Sequence, residues 1–397
     1  MQLSNRILSM QASPIRKLVP IAEKAKKSGK KVYHLNIGQP DIETPKVFFD
    51  ALKHFDEKVL AYSSSHGDLE LIKAMVDYYK KYGIDYEPSD IIITNGGSEA
   101  LLFAIIAVAD PEEEVLVPEP FYTNYNGFSV PVGVTVKPIT TSPLDGFRLP
   151  AKADLVKVIN PRTRAILLSN PGNPTGVVYT RDEITMLAEV AKEHDLFIIA
   201  DEVYREFIYG DLEYTSFGTI EEIEDRVIIV DSISKRYSAC GARIGSIASK
   251  NKELMANMMK LAQSRLCVPT IEQVGAKELY KVDPSYFKGV NDEYRRRRDL
   301  VFKMLREIPG VIVEEPKGAF YMVVKLPVDN AEEFVIWMLE DFQYNNATVM
   351  MAPAEGFYAT PGLGVDEVRI AYVLNEDDLK ASMEILKRGL ESYPGKK

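Results

Sequence analysis

The chain has 397 residues, enough for two or three domains and a large buried core, and its 46% hydrophobic and 27% charged residues are those of a soluble globular protein. Its charge sum, 48 basic against 58 acidic residues, is −10, which repels phosphate backbones and sets nucleic acid aside as a partner. Only Cys240 and Cys267 are present, without a CxxC, which excludes a disulfide framework and suits a reducing compartment.

The opening MQLSNRILSMQASPIRK lacks the apolar stretch of a secretory signal, so the expectation is a cytoplasmic protein. VYHLNIGQPDIETP is extended and turn-rich; it either folds back onto a second domain or crosses between domains. DIIIT reads as a strand followed by the helical run EALLFAIIAVA. The longest apolar run, Leu101–Ala109, is too short to span a bilayer, so no membrane partner is expected. EEEVLVPEP, VTVKPIT and RAILLSN read as strands, EITMLAEVAKEHD as an amphipathic helix, and LFIIAD and RVIIVDS as further strands. Runs that are apolar throughout suit strands buried on both faces of a mostly parallel sheet. Strand–helix–strand order then gives right-handed crossovers and α/β layers. From about Pro284 to Glu307 a long charged helix carries Arg295, Arg296, Arg297 and Arg298, read as a solvated basic face. VIVEEPKGAFYMVVKL, the helix AEEFVIWMLEDF, the strand DEVRIAYVL and a final helix read as a smaller α+β domain.

Ligands of open α/β sheets lie beyond the carboxyl ends of the strands. There the sequence has Asn95-Gly96-Gly97-Ser98, Asn170-Pro171-Gly172-Asn173-Pro174-Thr175-Gly176, Asp201-Glu202-Val203-Tyr204 and Asp231-Ser232-Ile233-Ser234-Lys235. Gly97 and Ser98 at a helix N-terminus present free N–H groups to an anion, or are an ordinary capped turn. Lys235 can form an imine with an aldehyde if held dry, or is an exposed loop lysine. Arg243 can clamp a phosphate with its planar fork, or is a salt-bridging surface residue. Asp201 follows five apolar residues and, if buried, needs a cationic or hydrogen-bonding partner; otherwise it is a cap. Tyr204 and Asn173 are hydrogen-bond donors, or a core ring and a turn-former. Taken together, these groups meet the needs of pyridoxal phosphate: a lysine, a carboxylate for the ring nitrogen, donors for the ring oxygen and an anion cradle. The four histidines, His34, His54, His66 and His194, have no metal-type spacing and read as structural or surface residues, with no metal centre.

The string Ser232-Ile233-Ser234-Lys235-Arg236-Tyr237-Ser238-Ala239-Cys240-Gly241-Ala242-Arg243-Ile244-Gly245 resembles the lysine motif of the class I/II aminotransferases, the aspartate aminotransferase family of fold type I. Asn170–Gly176 resembles its NPxNPTG loop, Asp201–Tyr204 its DExY, and LNIGQPDIETP its GxPDxxTP segment. Tyr62–Glu70 resembles its YxxxxGxxE, and Gly318–Tyr321 and Val368–Ile370 its C-terminal landmarks. The resemblance runs along roughly the whole chain. It implies an α/β fold with a large domain, residues 45–285, built on a mostly parallel seven-stranded sheet flanked by helices. The smaller α+β domain is formed by residues 1–44 and 286–397.

Carried over to these positions, the resemblance implies that Lys235 holds pyridoxal 5'-phosphate covalently and shuttles the substrate Cα proton. Asp201 pairs with the ring nitrogen, Asn173 and Tyr204 donate to the ring oxygen, and Tyr122 stacks on the ring. Gly97, Ser98, Ser232 and Arg243 bind the phosphate. Tyr62 reaches the phosphate of a neighbouring subunit, which implies a homodimer. Arg369, helped by Asn173 and the Gly38 backbone N–H, holds the substrate α-carboxylate, and the segment around Ile15 closes over the site. The implied reaction moves an amino group between an L-amino acid and a 2-oxo acid. Aspartate with 2-oxoglutarate is the family-default pair; alanine, aromatic or branched-chain donors and a C–S lyase on the same scaffold are the alternatives. One departure bears on the donor. A bacterial subgroup of aspartate aminotransferases holds the distal carboxylate with a lysine where this chain has Ser98. Arg265 is the candidate to replace it from a partner subunit, or is an interface arginine.

Overall fold

The computed structural model describes residues 1–395, so residues 396–397 of the expected small domain lie outside the described residues. In chain order the strands are β1 (Lys31–His34), β2 (Ile91–Asn95), β3 (Glu114–Glu119), β4 (Thr135–Thr140), β5 (Thr163–Ser169), β6 (Phe197–Asp201), β7 (Val227–Ser232), β8 (Ile244–Ala248), β9 (Ile312–Val313), β10 (Tyr321–Lys325), β11 (Ala347–Met350), β12 (Ala352–Pro353) and β13 (Glu367–Ala371). Seven of them form one sheet in the order β2-β8-β7-β6-β5-β3-β4. Every pairing in it is parallel except the two made by β8. The protein is therefore of the α/β class expected from the buried strand runs.

The apolar runs serve two cores at once. Ile198 and Ile229 pack with Ile184 and Leu187 of the helix Arg181–Glu193 on one face of the sheet. Their neighbours Ile199, Ile228 and Val230 pack with Ala104 and Ile105 of the helix Gly96–Val108 on the other. Alternate side chains of a strand point to opposite faces, so a strand covered on both sides has to be apolar at every position. The helix Arg181–Glu193 starts where it does because Thr180 and Glu183 form a reciprocal capping box. Ile184, Leu187, Ala188 and Ala191 then make one buried stripe.

A second, antiparallel sheet runs β12-β13-β10-β9. β1 pairs in parallel with β11, Lys31 opposite Ala347 and His34 opposite Met350. The turn-rich early segment thus folds back onto the C-terminal part. Leu18, Ala22, Val32 and Leu35 share a core with Tyr294, Phe320, Phe334 and Leu386.

The expected solvated basic face holds only for Arg295 and Arg296. Arg297 and Arg298 are buried on the inner face of the helix Ser285–Arg306. Arg297 donates to Asp41 at 2.7 Å and to the Val373 carbonyl at 2.5 Å, and Arg298 pairs with Glu315 at 3.0 Å. Four consecutive helical residues span more than one turn, so a basic run necessarily faces both outward and inward. Among the described residues no helix is long and apolar enough to cross a membrane.

Candidate active site

The parallel strands deliver their last residues to one edge. Ser169 at the end of β5 lies opposite Asp201 at the end of β6, and β7 ends beside them at Ser232. Beyond this edge is a cavity of about 610 Å³. It is lined by Ile15, Gly38, Gly97, Ser98, Tyr122, Asn173, Asp201, Tyr204, Ser232, Lys235, Arg243 and Arg369. Residues from positions 15 to 369 in the chain therefore converge on one space.

Lys235 sits on the short helix Ile233–Arg236, which follows β7 directly and is capped by the Ser232 hydroxyl. Its Nζ donates to the Gly38 carbonyl at 2.8 Å. Gly38 has to lack a side chain, because a Cβ there would overlap the Tyr321 hydroxyl. Arg243, in a left-handed backbone conformation with φ 54°, donates to the Cys240 carbonyl at 2.9 Å. Its guanidinium lies against Gly96, where a Cβ would overlap it. The exposed N–H groups at the start of the helix Gly96–Val108, the hydroxyls of Ser98 and Ser232, and Arg243 together form a cradle suited to a phosphate.

Asp201 is buried, and the Tyr125 hydroxyl anchors it, with the Val203 backbone N–H also stabilising its charged form. Its Oδ2 accepts from the Tyr125 hydroxyl at 2.8 Å, while Oδ1 has no partner among the described residues. Burial pushes this carboxyl up to about 6; the Tyr125 hydrogen bond pulls it back. A buried oxygen without a partner is costly and calls for a donor from a bound group. A ring N–H meets that need. Tyr204, also buried, shares a hydroxyl–hydroxyl contact of 2.9 Å with Tyr321, and burial pushes its phenol well up. Tyr204 therefore keeps its proton and remains a donor. Burial likewise pushes Tyr122 up to about 12. These residues fit pyridoxal phosphate: an amine for its aldehyde, an unpaired carboxylate oxygen for its ring nitrogen, neutral phenols and an anion cradle.

Arg369, on β13, comes from the opposite side of the cavity. It is buried, and burial pulls its guanidinium down. It donates to Asn173 Oδ1 at 3.0 Å and to the Asn36 carbonyl at 2.6 Å, and it lies over the rings of Tyr321 and Phe357. None of these is a carboxylate, and Nε has no partner among the described residues. A buried cation in this condition has the chemistry to take a carboxylate.

Two expected residues lie elsewhere. Tyr62 is 81% exposed and does not line the cavity of its own chain. Arg265 is also outside it: its guanidinium pairs with Glu99 at 3.0 Å and donates to the Ser65 and Ile93 carbonyls. Sequence reasoning missed Tyr125, the anchor of Asp201. Its signal was its position three residues after Tyr122, which returns it to the same side of a helical turn. It also missed Ser13, Arg16, Gln39, Ser234 and the inward side of Tyr321, all of which line the cavity. A second cavity of about 480 Å³ lies at the opposite strand ends, but its arginines, Arg164 and Arg226, already pair with Glu113 and Asp195.

The chain matches the family described as aminotransferase class I and II over residues 30–386. It is 29% identical to an aspartate aminotransferase of Bacillus subtilis (strain 168), covering 99% of this chain and 100% of that protein. It is 30% identical to an aromatic-amino-acid aminotransferase of Thermococcus litoralis, covering 98% of this chain and 99% of that protein. Among solved structures, an alanine aminotransferase from Pyrococcus furiosus superposes with a TM-score of 0.90 at 31% identity, covering 99% of this chain and 100% of that one.

Proposed function

Because this chain belongs to the class I and II aminotransferases, and is a pyridoxal-phosphate-dependent transaminase acting on an amino acid and a 2-oxo acid, we propose that its donor is L-aspartate and its acceptor 2-oxoglutarate. The full-length similarity to the Bacillus protein supports this pair, and so does a cavity whose charged lining is mostly cationic. The observation that carries the site assignment is the convergence of Lys235, Asp201, Arg243 and Arg369 on one cavity.

When bound, pyridoxal phosphate supplies an aldehyde carbon and an electron-withdrawing ring. Lys235 would hold it, and its Nζ would take the proton from the substrate Cα and return it. The Asp201 carboxylate would accept the ring N–H at Oδ1, the oxygen without a partner among the described residues. Asn173 and Tyr204 would donate to the ring oxygen, and Tyr122 would pack on the ring. Gly97, Ser98, Ser232 and Arg243 would hold the phosphate. Arg369 grips the α-carboxylate with help from Asn173 and the Gly38 N–H, which orients Cα toward Lys235. Ile15 covers the site and excludes water. Residues 45–285 form the cofactor-binding domain; residues 1–44 and 286–397 form the smaller one. Two chains associate, and Tyr62 of each reaches the other's phosphate site. Its exposure and the exposed apolar neighbours Val59, Leu60 and Leu266 support that role. The compartment is the cytoplasm.

The test is an absorbance spectrum of the purified protein with single amino acids and no oxo acid. Loss of a cofactor band with aspartate or glutamate, and its return with 2-oxoglutarate, is the expected result. A response only to alanine, aromatic or branched amino acids would move the donor away from aspartate.

A further inference from the structure

Charged groups on the cavity wall number four cations, Arg16, Lys235, Arg243 and Arg369, against one carboxylate, Asp201. The reading above gives tasks to three of the cations: an aldehyde, a phosphate and an α-carboxylate. Arg16 has none. Its side chain makes no ion pair or hydrogen bond among the described residues.

Its position is set by the fold. The Arg16 N–H donates to the Ser13 carbonyl at 3.0 Å, which closes a turn. Pro14 is buried against Gly356, where a Cβ would overlap it. The Ile15 carbonyl accepts from Asn36 Nδ2 at 2.8 Å, and the carbonyl of the same Asn36 accepts from Arg369 at 2.6 Å. One buried asparagine therefore ties the Arg16 turn to the α-carboxylate receptor. Arg16, Arg369 and Tyr122 all line the same cavity. Arg265, the cation suggested by sequence, is committed to Glu99 and two backbone carbonyls.

We propose that Arg16 is the specificity residue that pairs with the second, side-chain carboxylate of an amino dicarboxylic acid and of its 2-oxo partner, with Arg369 on the α-carboxylate. The inference rests on the transaminase reading of the cavity. It puts the residue that selects acidic substrates on the N-terminal segment rather than at Ser98 or on the sheet. Charge and fork both matter to such a contact, so lysine should replace arginine only in part.

The test uses the holoenzyme and its Arg16→Ala and Arg16→Lys variants. Two quantities are measured: the ratio of kcat/KM for aspartate to that for alanine, and the affinity for glutarate, an unreactive dicarboxylate, by calorimetry. Arg16→Ala is expected to lower both by about 10- to 100-fold, and Arg16→Lys to recover part of each. A ratio within about twofold of the parent, or an equal loss on aspartate and alanine, overturns the proposal, because the segment then acts only as a cover. A parent enzyme that transaminates alanine and ignores dicarboxylates also overturns it while leaving transamination intact. Glutarate binding that depends on Arg16 in a protein that turns over no amino acid supports Arg16 and sinks the substrate pair instead.

Discussion

The wall of the cavity that carries Asn173, Asp201, Ser232, Lys235 and Arg243 comes from one stretch of chain and from the ends of neighbouring strands. The wall that carries Arg16, Gly38 and Arg369 comes from opposite ends of the sequence, joined by Asn36. On the first wall, short-range bonds set the geometry: Ser232 caps the turn of Lys235, and Arg243 donates to the nearby Cys240 carbonyl. On the second, Arg369 reaches Asn173 and Asn36, and Asn36 reaches Ile15. The first wall is tied locally and, under the proposed function, would carry the chemistry. The second is a set of long-range ties and, under the same proposal, would choose what enters.

The comparison is tested most severely at Lys235. Lys235→Ala should lower kcat on the order of 10⁴-fold and remove the cofactor's visible band, because under the proposed function it deletes both the attachment and the proton carrier. Turnover assays and absorbance check this; retention of more than a few per cent of turnover would remove Lys235 from the chemistry. The second wall should respond less. Arg369→Lys keeps the charge but cannot bond Asn173, Asn36 and a carboxylate through one planar fork. An increase in KM of roughly 10- to 100-fold is expected for acidic and neutral amino acids alike, with a smaller change in kcat. A loss confined to kcat would place Arg369 with the first wall.

The smallest effect belongs to the Asp201 anchor. In cofactor-free protein the Asp201 pKa is raised to about 6 by burial, so its contribution to stability is full below the ordinary carboxylate range and is lost as pH rises through about 6. Tyr125→Phe removes a bond that opposes this shift and widens the window of loss. The variant should be about 1 kcal/mol less stable at pH 8, with the difference shrinking toward pH 4, measured by denaturant unfolding of the cofactor-free protein. An equal deficit at both pH values would mean that Tyr125 contributes packing rather than charge stabilisation.

The same division governs what could be read from sequence. Most of the first wall was legible because its groups closely follow runs apolar enough to be buried strands, and parallel strands end at one edge; Arg243, just before β8, was read instead from its place eight residues after Lys235. On the second wall, Ile15, Gly38 and Arg369 were legible only through the family resemblance, because no period marks them, and Arg16 was not legible at all. Arg16 sits in an irregular turn, and nothing in QASPIRKL says which side chain faces a cavity. Arg297 illustrates the same limit: within a run of four arginines, only the packing of the helix against Asp41 and Val373 distinguishes an inward from an outward position. Arg265 looked available because its partner, Glu99, lies far away in sequence. Reasoning from local pattern finds groups fixed locally and is blind to groups fixed by contacts between remote segments.

The pairing of β1 with β11 has a consequence for how the protein is made. Residues 91–248, which supply all seven strands of the large sheet, leave the ribosome well before Ala347–Met350 exist. The sheet and its strand-end groups can therefore assemble during synthesis, whereas Lys31–His34, and with it the Ile15, Arg16 and Gly38 side of the cavity, must wait for a partner more than three hundred residues downstream. Until then the Lys31–His34 segment has no strand to pair with, and this wall of the cavity can form only after Met350 has been added.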